Sequence, residues 1–386
     1  MRQIFYKIGA VFCVKFYSLL DRKLFSDKAM KISEEKTVAK EISIKTNNNF
    51  AWLLPDDQFL ACRGFLTKQN YARVASEQIS ECSSELKYNA KISAGCRIEM
   101  TTDASYIYVN ILLSKFVSQF DLHQMSFTGF SGIDVYCVED GVYRWKGCFS
   151  PNKLFGTRIF YKVKISDESE KKKKKIVIYL PNFVPVKSIK IGLNCDAVVW
   201  KNSQNEKKPI VFYGSSISQG CASSRPGLSY IAQVGRMLDN PVINLGFSGS
   251  ARGELQIARI LGNLDAAALV IEYDHNVSCE ELQKTHRRFY QEIRQYNSET
   301  PIVFISRMSG GFSVTKEEVA QRKKIIEATC LEALKDGDKV RLIDGMTLVK
   351  EFEQGEFLSD DRHLNDLGMY ILAVAVRDAL STLLEE

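Results

Sequence analysis

One change of rhythm, at the polar stretch 201–208, constrains this 386-residue chain more than any other feature. Before it, short runs rich in β-branched and aromatic residues occur at 97–100, 106–113, 132–138, 159–165, 176–180 and 189–193. Turn residues such as Thr102-Asp103-Ala104-Ser105 and Glu139-Asp140-Gly141 punctuate them. Runs of that length, with no helical pattern between them, predict a β-sandwich. After the change, apolar runs at 210–213, 242–245, 267–273, 302–306 and 340–343 read as buried strands separated by helical segments. Two of those helices begin with capping boxes, Ser278-Cys279-Glu280-Glu281 and Thr315-Lys316-Glu317-Glu318. Five strands joined by helices imply right-handed crossovers and a parallel sheet covered on both faces, with ligands bound at the carboxyl ends of its strands. The expected organisation is a leader over 1–48, helical or poorly ordered, a β-sandwich over 49–200 and an α/β domain over 205–386.

Composition removes other classes. With 45% hydrophobic residues, 23 Gly and only 8 Pro, the chain can bury a sizeable core, which excludes disorder and collagen-like repetition. Its charge, +6 from 52 basic and 46 acidic side chains, is mild for this length. The lysine run 171–175 is bracketed by Asp167, Glu168 and Glu170 and reads as a solvated loop, so no nucleic-acid partner is expected. The ten cysteines form no C-x-x-C pair and no His stands at zinc-ligand spacing, so neither a metal nor a cofactor is called for. Scattered thiols in a large chain fit a reducing compartment, and the cytoplasm is the expected location. The apolar stretch 4–20 is broken by Lys7 and Lys15 and followed by Asp21-Arg22-Lys23, unlike a membrane span or a cleaved secretory signal. A basic, aromatic helix of this kind could lie on a membrane surface. A helix packed on the body of the protein or a poorly ordered leader is the expected fate.

Candidate chemistry gathers in loops that follow strands. Tyr213-Gly214-Ser215-Ser216-Ile217-Ser218-Gln219-Gly220 places serines at a strand-to-helix turn, where a hydroxyl is exposed at the sheet edge; the same pattern also serves as a plain helix cap. A serine nucleophile needs a base, and the base is best held by a carboxylate on its other ring nitrogen. Of the four histidines, His286 lies in the helical stretch 280–295 and is expected at the surface, and His123 lies in the β-rich half. His363, in Asp360-Asp361-Arg362-His363-Leu364-Asn365-Asp366-Leu367-Gly368, and His275, in Tyr273-Asp274-His275-Asn276, remain, each with aspartates nearby. Asn244-Leu245-Gly246-Phe247-Ser248-Gly249-Ser250 adds glycines whose N–H groups can approach an oxyanion, and the Asn276 amide can donate another hydrogen bond.

In this order, Ser216, Gly249, Asn276 and His363, the sequence resembles the SGNH, or GDSL-like, hydrolases, named for those four residue types. The stretches 214–227 (GSSISQGCASSRPG), 244–249, 272–276 (EYDHN) and 363–368 are similar to the subgroup with an N-terminal β-sandwich, whose G-x-D-L-Y motif has a counterpart in Gly132-Ile133-Asp134-Val135-Tyr136. The resemblance implies a flavodoxin-like α/β hydrolase domain behind a jelly-roll-like sandwich. It implies Ser216 as nucleophile, His363 as base, Asp360 as the carboxylate that orients it, and an oxyanion hole from the N–H groups of Ser216 and Gly249 and the side chain of Asn276. Leu364 stands where the family usually has proline, Ser215 where the commoner block has aspartate, and Asp361 competes with Asp360 for the imidazole. Arg225 and Arg307 are candidate contacts to a polar substrate, with a charged link between domains the alternative for Arg225. His275 is a candidate substrate-binding neighbour of Asn276. The implied activity is a serine esterase removing a short acyl group, acetyl above all, from a small molecule or carbohydrate. An acyltransferase with the same site, or a glycan-binding protein with a vestigial hydrolase domain, are the alternatives.

Overall fold

The computed structural model describes residues 36–385 except 47–49, 57, 68, 115–122, 152–155, 168–170, 203–206 and 312–313. The leader stretch 4–20 lies outside the described residues.

In chain order the front half supplies β1 (Lys36–Val38), β2 (Lys45–Thr46), β3 (Phe50–Leu53), β4 (Ala61–Arg63), β5 (Arg97–Thr102), β6 (Tyr106–Leu113), β7 (Ile133–Glu139), β8 (Val142–Phe149), β9 (Arg158–Lys164), β10 (Lys174–Tyr179), β11 (Val186–Asn194) and β12 (Val198–Trp200). They form two antiparallel sheets, β1-β12-β5-β10-β7-β8 with β4 on β5, and β2-β3-β11-β6-β9. Alternation decides which side chains face inward. In β6, Ile107, Val109, Ile111 and Leu113 are buried while their neighbours are half-exposed, and they meet Val135, Cys137, Ile176 and Ile178 of the facing sheet in one core.

Two expectations for this half need correction. The lysine run is not simply a solvated loop: β10 begins inside it, with Lys174 only 2% exposed. An ammonium is tolerated there because acceptors wait for it. Lys174 Nζ donates to Ser166 Oγ at 2.6 Å, and Lys175 Nζ pairs with Glu99 at 2.8 Å. Nor is the half free of helices, for α1 (Ser84–Ala90) lies between β4 and β5 and α2 (Phe127–Ser131) precedes β7.

The second half holds β13 (Ile210–Gly214), β14 (Val242–Gly246), β15 (Ala268–Glu272), β16 (Ile302–Ile305) and β17 (Val340–Ile343), all parallel, in the order β14-β13-β15-β16-β17. Every residue of β13, β14 and β15 is buried, which is why these strands read as unbroken apolar runs. The interposed helices are α3 (Ser216–Gln219), α4 (Tyr230–Met237), α5 (Leu255–Gly262), α6 (Cys279–Tyr296), α7 (Lys316–Lys335) and α8 (Asp366–Glu385). Helices α4 and α8 cover one face through Ile231, Val234, Leu372 and Val376. Helices α5, α6 and α7 cover the other through Ile257, Leu261, Phe289, Ile293 and Ile326. Strand order reverses around β13, which opens a crevice at the carboxyl ends of β13 and β15.

The capping box at Ser278 is complete, its hydroxyl accepting from the Glu281 N–H and the Glu281 carboxylate accepting from the Ser278 N–H. At Thr315 only the first bond forms, because Glu318 turns to Arg322 instead. His286 is corrected too. It is 4% exposed, since spacing from Leu282 and Phe289 puts it on the inner face of α6, where it contacts Thr329 Oγ1 at 3.0 Å and stacks on Tyr273.

Candidate active site

The loop after β13 is shaped by close approach of backbone. A Cβ on Gly214 would lie 2.4 Å from the Glu272 carbonyl oxygen, so only glycine lets β13 and β15 close here. Ser215 then caps α3, its hydroxyl accepting from the Ile217 N–H at 3.1 Å and donating to the Glu272 carboxylate at 2.9 Å. Ser216 follows as the first helical residue, 8% exposed.

From Ser216 a chain of hydrogen bonds runs to the loop before α8. Ser216 Oγ lies 2.8 Å from His363 Nε2, and His363 Nδ1 lies 2.6 Å from Asp360 Oδ2. For the hydroxyl to donate to Nε2, Nδ1 must carry the ring proton, and Asp360 accepts it. The other Asp360 oxygen accepts from the N–H groups of His363 at 2.7 Å and Arg362 at 2.9 Å. Burial works against the ionised carboxyl, but these bonds outweigh it and hold Asp360 below the usual carboxylate range. Asp361 points elsewhere, in a two-pronged pair with Arg362 at 3.0 Å. Leu364, in the place of the family's proline, is fully buried in the core beneath.

Donors converge on the same edge. Gly249 has φ of +66°, a conformation that disfavours any side chain. Among the described residues none accepts from the N–H of Gly249 or of Ser216. Asn276 stands on a single turn, Asp274–Asn276, after β15 and spends one amide hydrogen on the Phe247 carbonyl at 3.2 Å, which leaves the other to donate. Asp274 beneath it is buried between Arg307 and Arg322, at 2.9 and 3.0 Å. Arg307 is therefore not available as a substrate contact: it is 6% exposed and committed to Asp274. His275 is half-buried, and burial followed by the Arg307 cation depress it to about 3, so its ring is neutral at ordinary pH.

Arg225 joins the two halves. Its Nη1 donates to Asp134 Oδ2 and, at 2.7 Å, to the Tyr136 hydroxyl, while the guanidinium lies over the Trp145 ring at 4.8 Å. The Gly227 N–H and Trp145 Nε1 complete the shell of Asp134, at 3.0 and 2.6 Å. Asp134 and Tyr136 of the G-x-D-x-Y stretch thus form the receptor for Arg225.

Glu272 escaped the reading of the sequence as an individual residue. Its carboxylate accepts from the Ser215 N–H and hydroxyl and from the Ser218 hydroxyl, between 2.9 and 3.2 Å, directly behind the turn that carries Ser216. Burial lifts it to about 7 against the bonds from Ser215 and Ser218. The available signal was a carboxylate ending an otherwise apolar buried strand.

Residues 207–381 match the GDSL-like lipase/acylhydrolase family, and residues 50–199 match the N-terminus of the Esterase_SGNH_hydro-type proteins. The chain belongs to the SGNH hydrolases. As such it is a serine esterase acting on carboxylic ester bonds. A candidate GDSL-like lipase from Bacteroides ovatus ATCC 8483 is similar to this SGNH hydrolase over 87% of this chain and 98% of its own, with TM-score 0.77 and 26% identity. Two more distant structures share the fold. The salicylyl-acyltransferase SsfX3 from a tetracycline biosynthetic pathway aligns over 88% of this chain and 98% of its own, with TM-score 0.71 and 19% identity. A family two carbohydrate esterase from Clostridium thermocellum in complex with cellohexaose covers 75% and 92%, with TM-score 0.51 and 14% identity. No curated protein matches the sequence.

Proposed function

We propose that this SGNH hydrolase cleaves short acyl esters, acetyl foremost, on a carbohydrate or related hydroxylated substrate, with Ser216, His363 and Asp360 as its triad. The observation that carries this is the unbroken chain from Ser216 Oγ through His363 to Asp360. Ser216 Oγ attacks the ester carbonyl carbon as His363 Nε2 takes its proton; the carbonyl oxygen becomes an oxyanion received by the N–H groups of Ser216 and Gly249 and the Asn276 amide. Collapse expels the alcohol, protonated by His363, and leaves an acyl-Ser216 that water attacks by the same route in reverse. Asp360, held ionised, stabilises the imidazolium in both halves.

The carbohydrate rests on the cellohexaose-bound esterase that shares the fold. A second reading, transfer of the acyl group to another hydroxyl, is favoured by the likeness to an acyltransferase along 88% of this chain. A glycan-binding protein with a spent hydrolase half is disfavoured by the intact triad geometry.

Purified protein incubated with nitrophenyl esters of increasing chain length and with acetylated sugars decides among these. Fast release from acetyl esters into water, lost in Ser216→Ala, is the expected result. Release that accelerates with added sugar alcohol, with acylated sugar as product, would identify a transferase; inactivity on every ester would contradict the proposal.

A further inference from the structure

The segment between β4 and β5 leaves the sandwich and joins the other half of the molecule. Its Val74, Ile79, Leu86 and Ala90 pack in one cluster with Leu245, Phe247, Ile257 and Leu261 of the hydrolase half. Two polar side chains travel with it: Arg73 ends on the carboxyl end of β14, and Asn89 on the loop just after it that carries Gly249.

Arg73 is completely buried, and among the described residues no carboxylate pairs with it. Its guanidinium donates instead to backbone carbonyls: Nε to Ile92 at 2.8 Å, Nη2 to Asn89 at 2.8 Å, and Nη1 to Asn244 at 2.7 Å and Gly246 at 2.8 Å, with the Phe247 ring beneath at 4.9 Å. Asn89, 8% exposed, gives its two amide hydrogens to the Ser248 carbonyl at 2.9 Å and Ser250 Oγ at 3.0 Å. The carbonyls of residues 244, 246 and 248 are therefore all held from the front half.

The last of these bonds matters most, because a peptide unit is rigid and trans, with its C=O and N–H pointing in opposite directions. The unit whose carbonyl belongs to Ser248 is the unit whose N–H belongs to Gly249. Fixing one end with Asn89 sets the direction of the other. At φ of +66° Gly249 is free of side-chain restraint, and a Cβ there would meet no atom within 4 Å, so the loop itself does little to resist a flip of that unit. We propose that Asn89, steadied by Arg73, is a positioning residue of the front half that aims the Gly249 N–H at the oxyanion. This rests on the assignment of Gly249 to the oxyanion hole made above.

The test uses the full chain, nitrophenyl acetate kinetics and inhibition by phenylboronic acid, which forms a tetrahedral adduct on a reactive serine. Asn89→Ala removes the donor at the end of α1, where alanine suits a helix, and Asn89→Asp keeps the shape while turning a donor into an acceptor facing the Ser248 carbonyl. Both are expected to fold, to lower kcat about 10- to 100-fold and to weaken boronate binding by a similar factor with little change in KM. A bond serving stability alone would lower the melting temperature and leave kcat and boronate affinity in place. Folded variants that keep both within about twofold of wild type overturn the proposal. Ser216→Ala run alongside separates the failures: if it retains activity, the site assignment itself is wrong, whereas a dead Ser216→Ala beside fully active Asn89 variants condemns only the positioning role.

Discussion

At the scale of single residues, the hydrogen-bond chain fixes an order of damage. Ser216→Ala and His363→Ala should each cost several orders of magnitude in kcat, with the double variant little worse than either, because residues acting as one unit are not additive. Asp360→Asn should be milder but clear, and Asp361→Asn nearly silent, since Asp361 faces Arg362 rather than the imidazole. Rates for the four variants on one ester check this, and equal losses for the two asparagines would refute it. Glu272 gives a pH signature. Its folded value of about 7 lies above its ordinary 4.5, so the folded state holds the proton more tightly, and the resulting stability is full below about 4.5 and lost as pH rises through 7. The size is roughly 3 kcal/mol at 1.36 per unit. His275 and His286, depressed by burial to about 3 and about 4, act with the opposite sign below about 6.5. The Glu272 contribution is therefore read as the difference between wild type and Glu272→Gln in thermal unfolding at several pH values; a difference independent of pH would remove it. In the sequence, Ser216, Gly249 and Asn276 stood out because their loops follow strands, whereas His363, in the loop before α8, was singled out from His275 only by the resemblance to the SGNH hydrolases. The sequence left Asp360 and Asp361 in competition, since two adjacent carboxylates differ only in the direction their side chains take.

At the scale of elements, the five parallel strands were legible to within a residue or two, because burial on both faces writes them as continuous apolar runs. The lysine run misled because charge was read without its acceptors, Ser166 across the β9–β10 turn and Glu99 on β5, far away in sequence. The helix α1 was missed because its short, mixed sequence carries little periodicity of its own. The junction of β7 with the loop before α4 carries a prediction. Arg225→Met leaves Asp134 buried with its cation gone, which should cost about 3 kcal/mol of stability and lower the melting temperature, with KM for small esters almost unmoved. An unchanged melting temperature and a tenfold higher KM for an acetylated sugar would instead make Arg225 a substrate contact.

For the whole molecule, residues 205–386 carry all four of the family's named residues, yet expressed alone they should be poorly soluble or weakly active. Removing the front half uncovers the α4 face that Tyr136, Val177 and Tyr179 cover through Ala232, and strips Leu245 and Phe247 of Val74, Ile79 and Leu86. Interfaces between domains of one chain commonly bury about 600 to 1,500 Å², enough to leave an adhesive patch when one side is gone. Solubility and nitrophenyl acetate turnover of the fragment check this, and a soluble fragment with wild-type rates would contradict it. Loss confined to sugar esters would show the sandwich walling the substrate cleft.

The guanidinium of Arg73 also sets a timetable. Its acceptor at Asn244 lies 171 residues downstream, so during synthesis the arginine leaves the ribosome long before the strand end that will receive it exists. At a translation rate of about 5 to 20 residues per second, that interval is on the order of 10 to 30 seconds. Once β12 has emerged the sandwich can close around its own core, but Val74, Ile79, Leu86 and Ala90 must wait in water until the apolar partners of the second half are made. The first half to be made thus waits on part of the second before it is finished, and a nascent chain stalled anywhere before β14 is one that chaperones have reason to hold.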